Sequence, residues 1–281
     1  MESQLEEIRD KQKEVWNKFS PGWKKWDVFM MDFLKPMGDE IIRELHPSVS
    51  DVVLDVASGT GEPGLTIASM LDSGKVVSVD LSKDMLSVAN EKAKTEGIKN
   101  FATLVCDVSE LPFDDNTFDA VSCRFGFMFF PDMLKATQEM HRVLKPGGRI
   151  ATSVWNVPEK NFWITSIMGT INRNMQIPPP PAGAPGMFRC AANGLMTNIF
   201  TEAGFKNVLQ TEIAGSLNTG TADVFWQLHN DVGAPIVAAL SKADDAMRTK
   251  IKSEVYELLH KKFGDNPVNP EASALVIYGE K

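Results

Sequence analysis

The chain has 281 residues, of which 43% are apolar and 23% charged, a globular composition that excludes a disordered or collagen-like protein. A formal charge of −8 argues against sequence-independent binding of nucleic acid or anionic lipid, and three widely separated cysteines argue against a disulfide framework or a Cys-rich zinc site. No apolar stretch approaches a membrane span, and the charge-rich start from Met1 to Lys13 lacks the apolar core of a signal peptide, so a cytoplasmic protein without stable membrane insertion is expected.

Leu5, Ile8, Val15, Trp16 and Phe19 recur at helical spacing and predict a first helix that Ser20-Pro21-Gly22 stops. A short second helix carries Trp23, Trp26, Phe29, Met30 and Phe33. A third covers Asp39 to Leu45 and ends before His46-Pro47, because the residue preceding proline avoids helical backbone. Residues 1–46 therefore read as an aromatic-rich helical arm, a candidate lid.

From Asp51 the pattern changes to strand-length apolar runs alternating with helices. Strands are predicted at Asp51 to Val56, Lys75 to Asp80, Phe101 to Cys106, Phe118 to Cys123 and Arg149 to Trp155. The intervening helices are Pro63 to Leu71, Ser82 to Thr95 and Asp132 to Leu144, the last followed by a Lys145-Pro146-Gly147-Gly148 turn. Such alternation predicts a parallel, doubly wound α/β sheet covered on both faces. Beyond Trp155 the alternation stops. A helix from Asn161 to Met175 leads to a proline-rich loop from Ile177 to Gly186. Then come a helix from Asn193 to Ala203, a strand from Asn207 to Ala214, helices over Asp223 to Asn230 and Pro235 to Phe263, and a strand from Ala274 to Tyr278. One domain, 1–281, is expected, with residues 51–155 as its cofactor-binding half and 156–281 as a cap that also completes the sheet.

Chemistry concentrates where the first strand ends, in Leu54-Asp55-Val56-Ala57-Ser58-Gly59-Thr60-Gly61-Glu62-Pro63-Gly64. Gly59, Gly61 and Gly64 satisfy G-x-G-x-x-G between a strand and a helix, which permits a tight turn and close backbone approach to a ligand. Pro63 suits the first helical position, and the helix start offers free N–H groups to an anion. Asp80 ends the second strand 19 residues beyond Gly61, where a carboxylate can accept both hydroxyl hydrogens of a ribose. It could equally serve as a charge at the following helix start. Asp55 inside the strand end can orient the loop or meet an ammonium group through water. Asp107 ends the third strand, placed for an adenine amino group or for a plain loop start. Together these point to an adenosine-containing cofactor, with a nicotinamide-dependent oxidoreductase and a non-catalytic cofactor-binding protein as the competing readings.

The set Asp55 to Gly61, Asp80, Asp107, Leu111-Pro112-Phe113, Phe118-Asp119-Ala120-Val121 and Arg142-Val143-Leu144-Lys145-Pro146-Gly147-Gly148 resembles the class I S-adenosylmethionine-dependent methyltransferases. Within them it is most similar to the ubiquinone/menaquinone C-methyltransferase-like branch. The resemblance covers Asp51 to Trp155. It implies a Rossmann-like seven-stranded sheet in the order 3-2-1-4-5-7-6 with the last strand antiparallel, and S-adenosylmethionine as cofactor. By the same resemblance Gly59 and Gly61 hold the cofactor's methionine end, with Asp55, Ala57 and Ser58 of the same segment counted among the cofactor-binding residues. Asp80 takes the ribose, Leu81 and Met85 lie against the adenine, Asp107 and Val108 flank its amino edge, and Arg124 and Phe125 face the sulfonium side.

Where the quinone enzymes carry an Arg-Asn pair, this chain has Phe127-Met128-Phe129-Phe130, which removes polar groups from the mouth of the site. With Trp155, Trp163, Met168, Met175 and Met187 nearby, the expected acceptor is small and largely hydrophobic or aromatic, methylated at carbon or oxygen, with Phe129, Trp155 and Trp163 as candidate substrate residues, unless these side chains serve only to close the sheet's open edge. No His/Asp/Glu cluster has metal-ligand spacing, and no general base is assigned. His229 is the one histidine of interest for that role.

Overall fold

Two long helices open the chain, α1 over Glu2–Lys25 and α2 over Asp27–Leu45, in a computed structural model that describes residues 2–178, 181 and 183–281. The three helices expected here are two, because neither Pro21 nor Pro36 ends its helix. Both prolines face solvent, where the lost N–H is cheapest to replace. At Pro21 the replacement is visible: the Ser20 hydroxyl donates to the Asn17 carbonyl at 3.0 Å, the oxygen a residue-21 N–H would otherwise have served. The break falls instead at Trp26, beside Gly22. There the chain passes so close to α8 (Ala222–Val232) that a Cβ on Gly22 would lie 2.0 Å from the Asp231 carbonyl oxygen.

The sheet strands are β1 (Val52–Val56), β2 (Lys75–Asp80), β3 (Phe101–Val105), β4 (Phe118–Arg124), β5 (Leu144–Trp155), β6 (Lys206–Ser216) and β7 (Glu271–Glu280), in the order β3-β2-β1-β4-β5-β7-β6. β7 is antiparallel to both of its neighbours and all other pairs are parallel. The Lys145 to Gly148 turn is absorbed into the start of β5, where Phe118 pairs with Leu144 before the register shifts. The crossover helices are α3 (Gly64–Met70), α4 (Lys83–Glu96) and α5 (Met133–Val143). Pro63 stands just before α3, not as its first residue.

Beyond β5 lie α6 (Phe162–Met175), α7 (Leu195–Glu202), α8, α9 (Ala234–Leu240) and α10 (Asp245–Phe263). The single helix expected from Pro235 to Phe263 is split, since Asp244 accepts from the Met247 N–H and starts a new helix, and Arg248 Nε donates back to the Leu240 carbonyl that ends α9. The proline-rich loop over Ile177 to Gly186 lies partly outside the described residues.

α2 ties the layers together. Its C-terminal half places Ile41 and Leu45 on Val53, Val76, Ala120, Ala151 and Val276 of the sheet, with Ile67 and Ala68 of α3 beside them. Its N-terminal half places Met30, Phe33, Leu34 and Met37 in the main core beyond the strand ends. Each such side chain contributes roughly 1.5–3 kcal/mol by burial. Buried Asn161 anchors α6 to β7: its amide donates to the carbonyls of Asn156, Val157 and Ser273, and its oxygen accepts from Ser273 N and Trp163 Nε1. Among the described residues no helix is long and apolar enough to cross a membrane.

Candidate active site

The strand order reverses between β1 and β4, and in a doubly wound sheet that is where a crevice opens at the carboxyl ends. Both strands leave the sheet through strained backbone: Ala57 has φ of 51° and Phe125 of 60°. Non-glycine residues hold this conformation at a cost of order 1–3 kcal/mol, so the surrounding packing must enforce it. The enforcement is visible in Gly126, where a Cβ would sit 2.7 Å from that of Ala57 and 2.8 Å from Cys123 Sγ.

Asp55 lies under the loop and has no exposure. One oxygen accepts from the Ser122 hydroxyl at 2.6 Å and the other from the Gly64 N–H at 3.1 Å, so it orients the glycine turn from below. Burial pushes its pKa up to about 7, against the pull of those hydrogen bonds. Gly64 is required here because a Cβ would come within 2.6 Å of that carboxylate. Gly59, with φ of 53°, has nothing within 4 Å of the place a Cβ would occupy, so its outer face is open to a ligand.

Asp80 is half-buried and joins the two motifs. Oδ2 accepts from Gly59 N at 2.9 Å and Oδ1 from Ser82 N at 2.8 Å, and burial raises its pKa. Leu81 is half-buried beside it, and Met85 is buried at the start of α4, where its N–H is capped by the Ser82 hydroxyl. Asp107 Oδ1 accepts from Ser109 N, and Val108 is buried next to it.

The arm closes over this edge. Asn17 Oδ1 accepts from the Ser82 hydroxyl at 2.7 Å, and Arg9 Nη1 stands 3.8 Å from Asp107 Oδ2. Asp27 accepts from the Thr60 hydroxyl at 2.8 Å while its second oxygen pairs with Lys92 at 2.9 Å. The polar members Arg9, Asn17 and Asp27 escaped the sequence reading, because nothing in an amphipathic helix marks which polar residue meets a distant loop. Ser82 was legible in principle as an N-cap.

On the β4 side an aromatic stack descends from the crevice. Phe125 stacks on Trp155 with centroids 4.2 Å apart, Trp155 meets Trp163 at 4.8 Å, and Phe33 of α2 contacts both. Trp155 and Trp163 are buried, whereas Phe129 is half-buried and meets Trp16 of the arm edge-on at 5.1 Å. Phe127, Met128 and Phe130 point into the core, so of the four-residue apolar run only Phe129 borders the arm. His229 is buried against Trp163 and Phe225. Its Nδ1 bonds the Phe225 carbonyl at 2.8 Å, and desolvation lowers its pKa to about 4. Among the described residues no group of three or more His, Cys, Asp or Glu side chains is arranged to hold a metal ion.

The profile of the ubiE/COQ5 methyltransferase family matches residues 10–162, more than half of the chain. The protein belongs to that family. It is an S-adenosylmethionine-dependent methyltransferase, which sets aside the nicotinamide oxidoreductase and the non-catalytic alternatives. Demethylmenaquinone methyltransferase of Bacillus pumilus is 34% identical over 54% of this chain and 67% of its own length. That of Thermus thermophilus is 36% identical over 48% and 51%. The match thus spans about half to two thirds of these curated relatives. Phosphoethanolamine N-methyltransferase 2 of Haemonchus contortus, solved with S-adenosyl-L-methionine, superposes with a TM-score of 0.60 at 19% identity, covering 98% of this methyltransferase and 60% of that chain, a likeness of fold. The residues present fit the cofactor: Gly59 leaves an open cradle, and the buried Ser58 hydroxyl beside it has no hydrogen-bond partner among the described residues.

Proposed function

We propose that this methyltransferase alkylates a small, largely hydrophobic or aromatic acceptor at carbon or oxygen, in the cytoplasm, a setting that suits its three unpaired thiols. The observation that carries the reading is the aromatic stack of Phe125, Trp155, Trp163 and Phe33, which begins at the crevice, together with the half-buried pair of Phe129 and Trp16 where the arm meets the loop after β4. Demethylmenaquinone, the acceptor in the relatives' names, has the aromatic character such a wall accepts. Half-buried Phe129, the member of the Phe127 to Phe130 run outside the core, favours an acceptor recognised through fewer polar contacts than an Arg-Asn pair would make.

In this reading the Ala57 to Gly61 loop and Ser58 hold the amino-acid end of the donor. Asp80 turns its carboxylate to the ribose hydroxyls, Leu81 and Met85 support the adenine, and Asp107 with Val108 meets its amino edge. S-adenosylmethionine supplies, when bound, a methyl group on a cationic sulfur whose departure needs no proton. The chain's task is therefore alignment and exclusion of water. Phe125, half-buried at the crevice, would offer the cation an aromatic quadrupole, which attracts positive charge. Asp55 keeps the loop in its strained path through Gly64 and Ser122. His229, held neutral and turned to the Phe225 carbonyl, is given no proton-transfer role. The arm, residues 1–46, acts as the lid over residues 51–155, and residues 156–281 form the acceptor cap within one domain.

Thermal-shift measurement with S-adenosylhomocysteine, NAD and NADP, followed by methyl transfer to a panel of phenols, quinones and amines, tests this. Stabilisation by S-adenosylhomocysteine with turnover confined to aromatic hydroxyl or carbon acceptors is expected. Turnover on amines alone would refute the acceptor assignment.

A further inference from the structure

Arg124, the last residue of β4, is a half-buried guanidinium with no anionic partner. Among the described residues no carboxylate forms an ion pair with it, and its one side-chain contact of hydrogen-bond length is from Nη2 to Met31 Sδ at 3.1 Å. The carboxylates whose charge reaches it are Glu62, Asp55 and Asp27, and each is engaged elsewhere. Asp55 serves Ser122 and Gly64, Asp27 serves Thr60 and Lys92, and Glu62 Oε2 takes both the N–H and the hydroxyl of Thr66. Buried charges are normally paired, and an arginine fork offers five donors suited to two carboxylate oxygens.

Position narrows the ligand. The side chain runs beneath α2, so that a Cβ on Gly38 would lie 3.7 Å from Nη1 and 4.0 Å from Pro63 Cβ, at the far end of the glycine turn. Ser153, paired with Arg124 on β5, contributes a second buried hydroxyl without a partner among the described residues. A guanidinium directed at a sulfonium would set two cations against each other. The same group directed at an anion resolves both its own lack of a partner and that repulsion.

We propose that Arg124 is a carboxylate-binding residue of the methyl-transfer crevice, holding either the amino-acid carboxylate of the donor or a carboxylate carried by the acceptor. The inference rests on the donor placement proposed above and replaces the sulfonium-facing role expected of Arg124. With no side chain at Gly38, Nη1 is not covered from α2, while Nη2 rests on Met31 Sδ.

The test is calorimetric titration of the full-length protein and its Arg124→Met and Arg124→Lys variants. The ligands are S-adenosylhomocysteine and 5′-methylthioadenosine, which keeps the nucleoside and sulfur but lacks the amino-acid group. If the donor supplies the carboxylate, Arg124→Met weakens S-adenosylhomocysteine by about 10- to 100-fold, leaves 5′-methylthioadenosine unchanged, and Arg124→Lys recovers part of the loss. If the acceptor supplies it, S-adenosylhomocysteine binds the variant normally. Acetate, compared with chloride at equal ionic strength, then stabilises the wild-type S-adenosylhomocysteine complex but not that of the variant. A parallel loss for both nucleosides, or a variant indistinguishable from wild type towards S-adenosylhomocysteine and acetate alike, overturns the proposal. Failure of the wild type to bind either nucleoside would instead overturn the donor placement itself.

Discussion

Replacing Asp55 by Asn is expected to stabilise the ligand-free protein at neutral and alkaline pH. The folded chain holds this carboxyl at a pKa of about 7, against an ordinary 3.8, because it is buried. Below pH 4 both folded and unfolded chains carry the proton, and the group costs nothing. Between 4 and 7 only the unfolded chain releases it, so stability falls as pH rises. Above 7 the full cost remains. At ~1.36 kcal/mol per pH unit the interval corresponds to about 4 kcal/mol, and water admitted around the ionised group reduces it to roughly 2–4 kcal/mol. Asn can keep both bonds, its oxygen accepting from Gly64 N–H and its amide donating to Ser122 Oγ. Urea unfolding of wild type and Asp55→Asn from pH 5 to pH 8 isolates the term, since other titrating groups cancel in the difference. The variant should gain relative to wild type with rising pH. A difference that is flat across this range would refute the assignment of a raised pKa.

Gly64→Ala should destabilise by about 1–3 kcal/mol through collision with Asp55, whereas Gly59→Ala should cost about 1–2 kcal/mol from left-handed backbone alone and lose cofactor affinity more than stability. Paired urea and binding titrations separate the two. Joint replacement of Arg9 and Asn17 by Ala should weaken S-adenosylhomocysteine binding several-fold with a change in unfolding free energy below about 1 kcal/mol; unaltered affinity would end the lid reading. His229, neutral in the fold with a pKa lowered from 6.5 to about 4, contributes stability above pH 6.5 that is lost as pH falls towards 4. Against His229→Gln the wild-type advantage should shrink across that window by up to about 3 kcal/mol. Trp155→Ala should cost about 3–5 kcal/mol, measured the same way, because three aromatic neighbours lose their partner.

The donor half was legible in the sequence because its signals are local. Strand-length apolar runs, glycines at a turn and an acidic residue at each strand end all act within a few residues of themselves, whereas the order of the strands was implied only by the family resemblance. The ends of the chain were less legible for two reasons. Proline is read as a helix stop, yet Pro21 is tolerated on an exposed face with Ser20 taking the abandoned carbonyl. Conversely, the gap between α9 and α10 is set by an Asp244 cap inside an otherwise continuous apolar pattern. Spacing put Asp55 in the first strand and Asp80 at the end of the second, where β1 and β2 have them. Each has one partner near in sequence, Gly64 and Ser82, and one far away, Ser122 at 67 positions and Gly59 at 21, and no periodicity encodes the distant pairs.

The junction between α1 and α2 touches both halves of the molecule. Asp27 is tied to Thr60 and Lys92 on the donor side, while Lys25 and Trp26, next to it, grip Asp231 of α8 in the cap. If the arm covers the donor as proposed above, moving that junction to exchange the donor also disturbs α8, and donor and acceptor affinities are then coupled with equal and reciprocal effect.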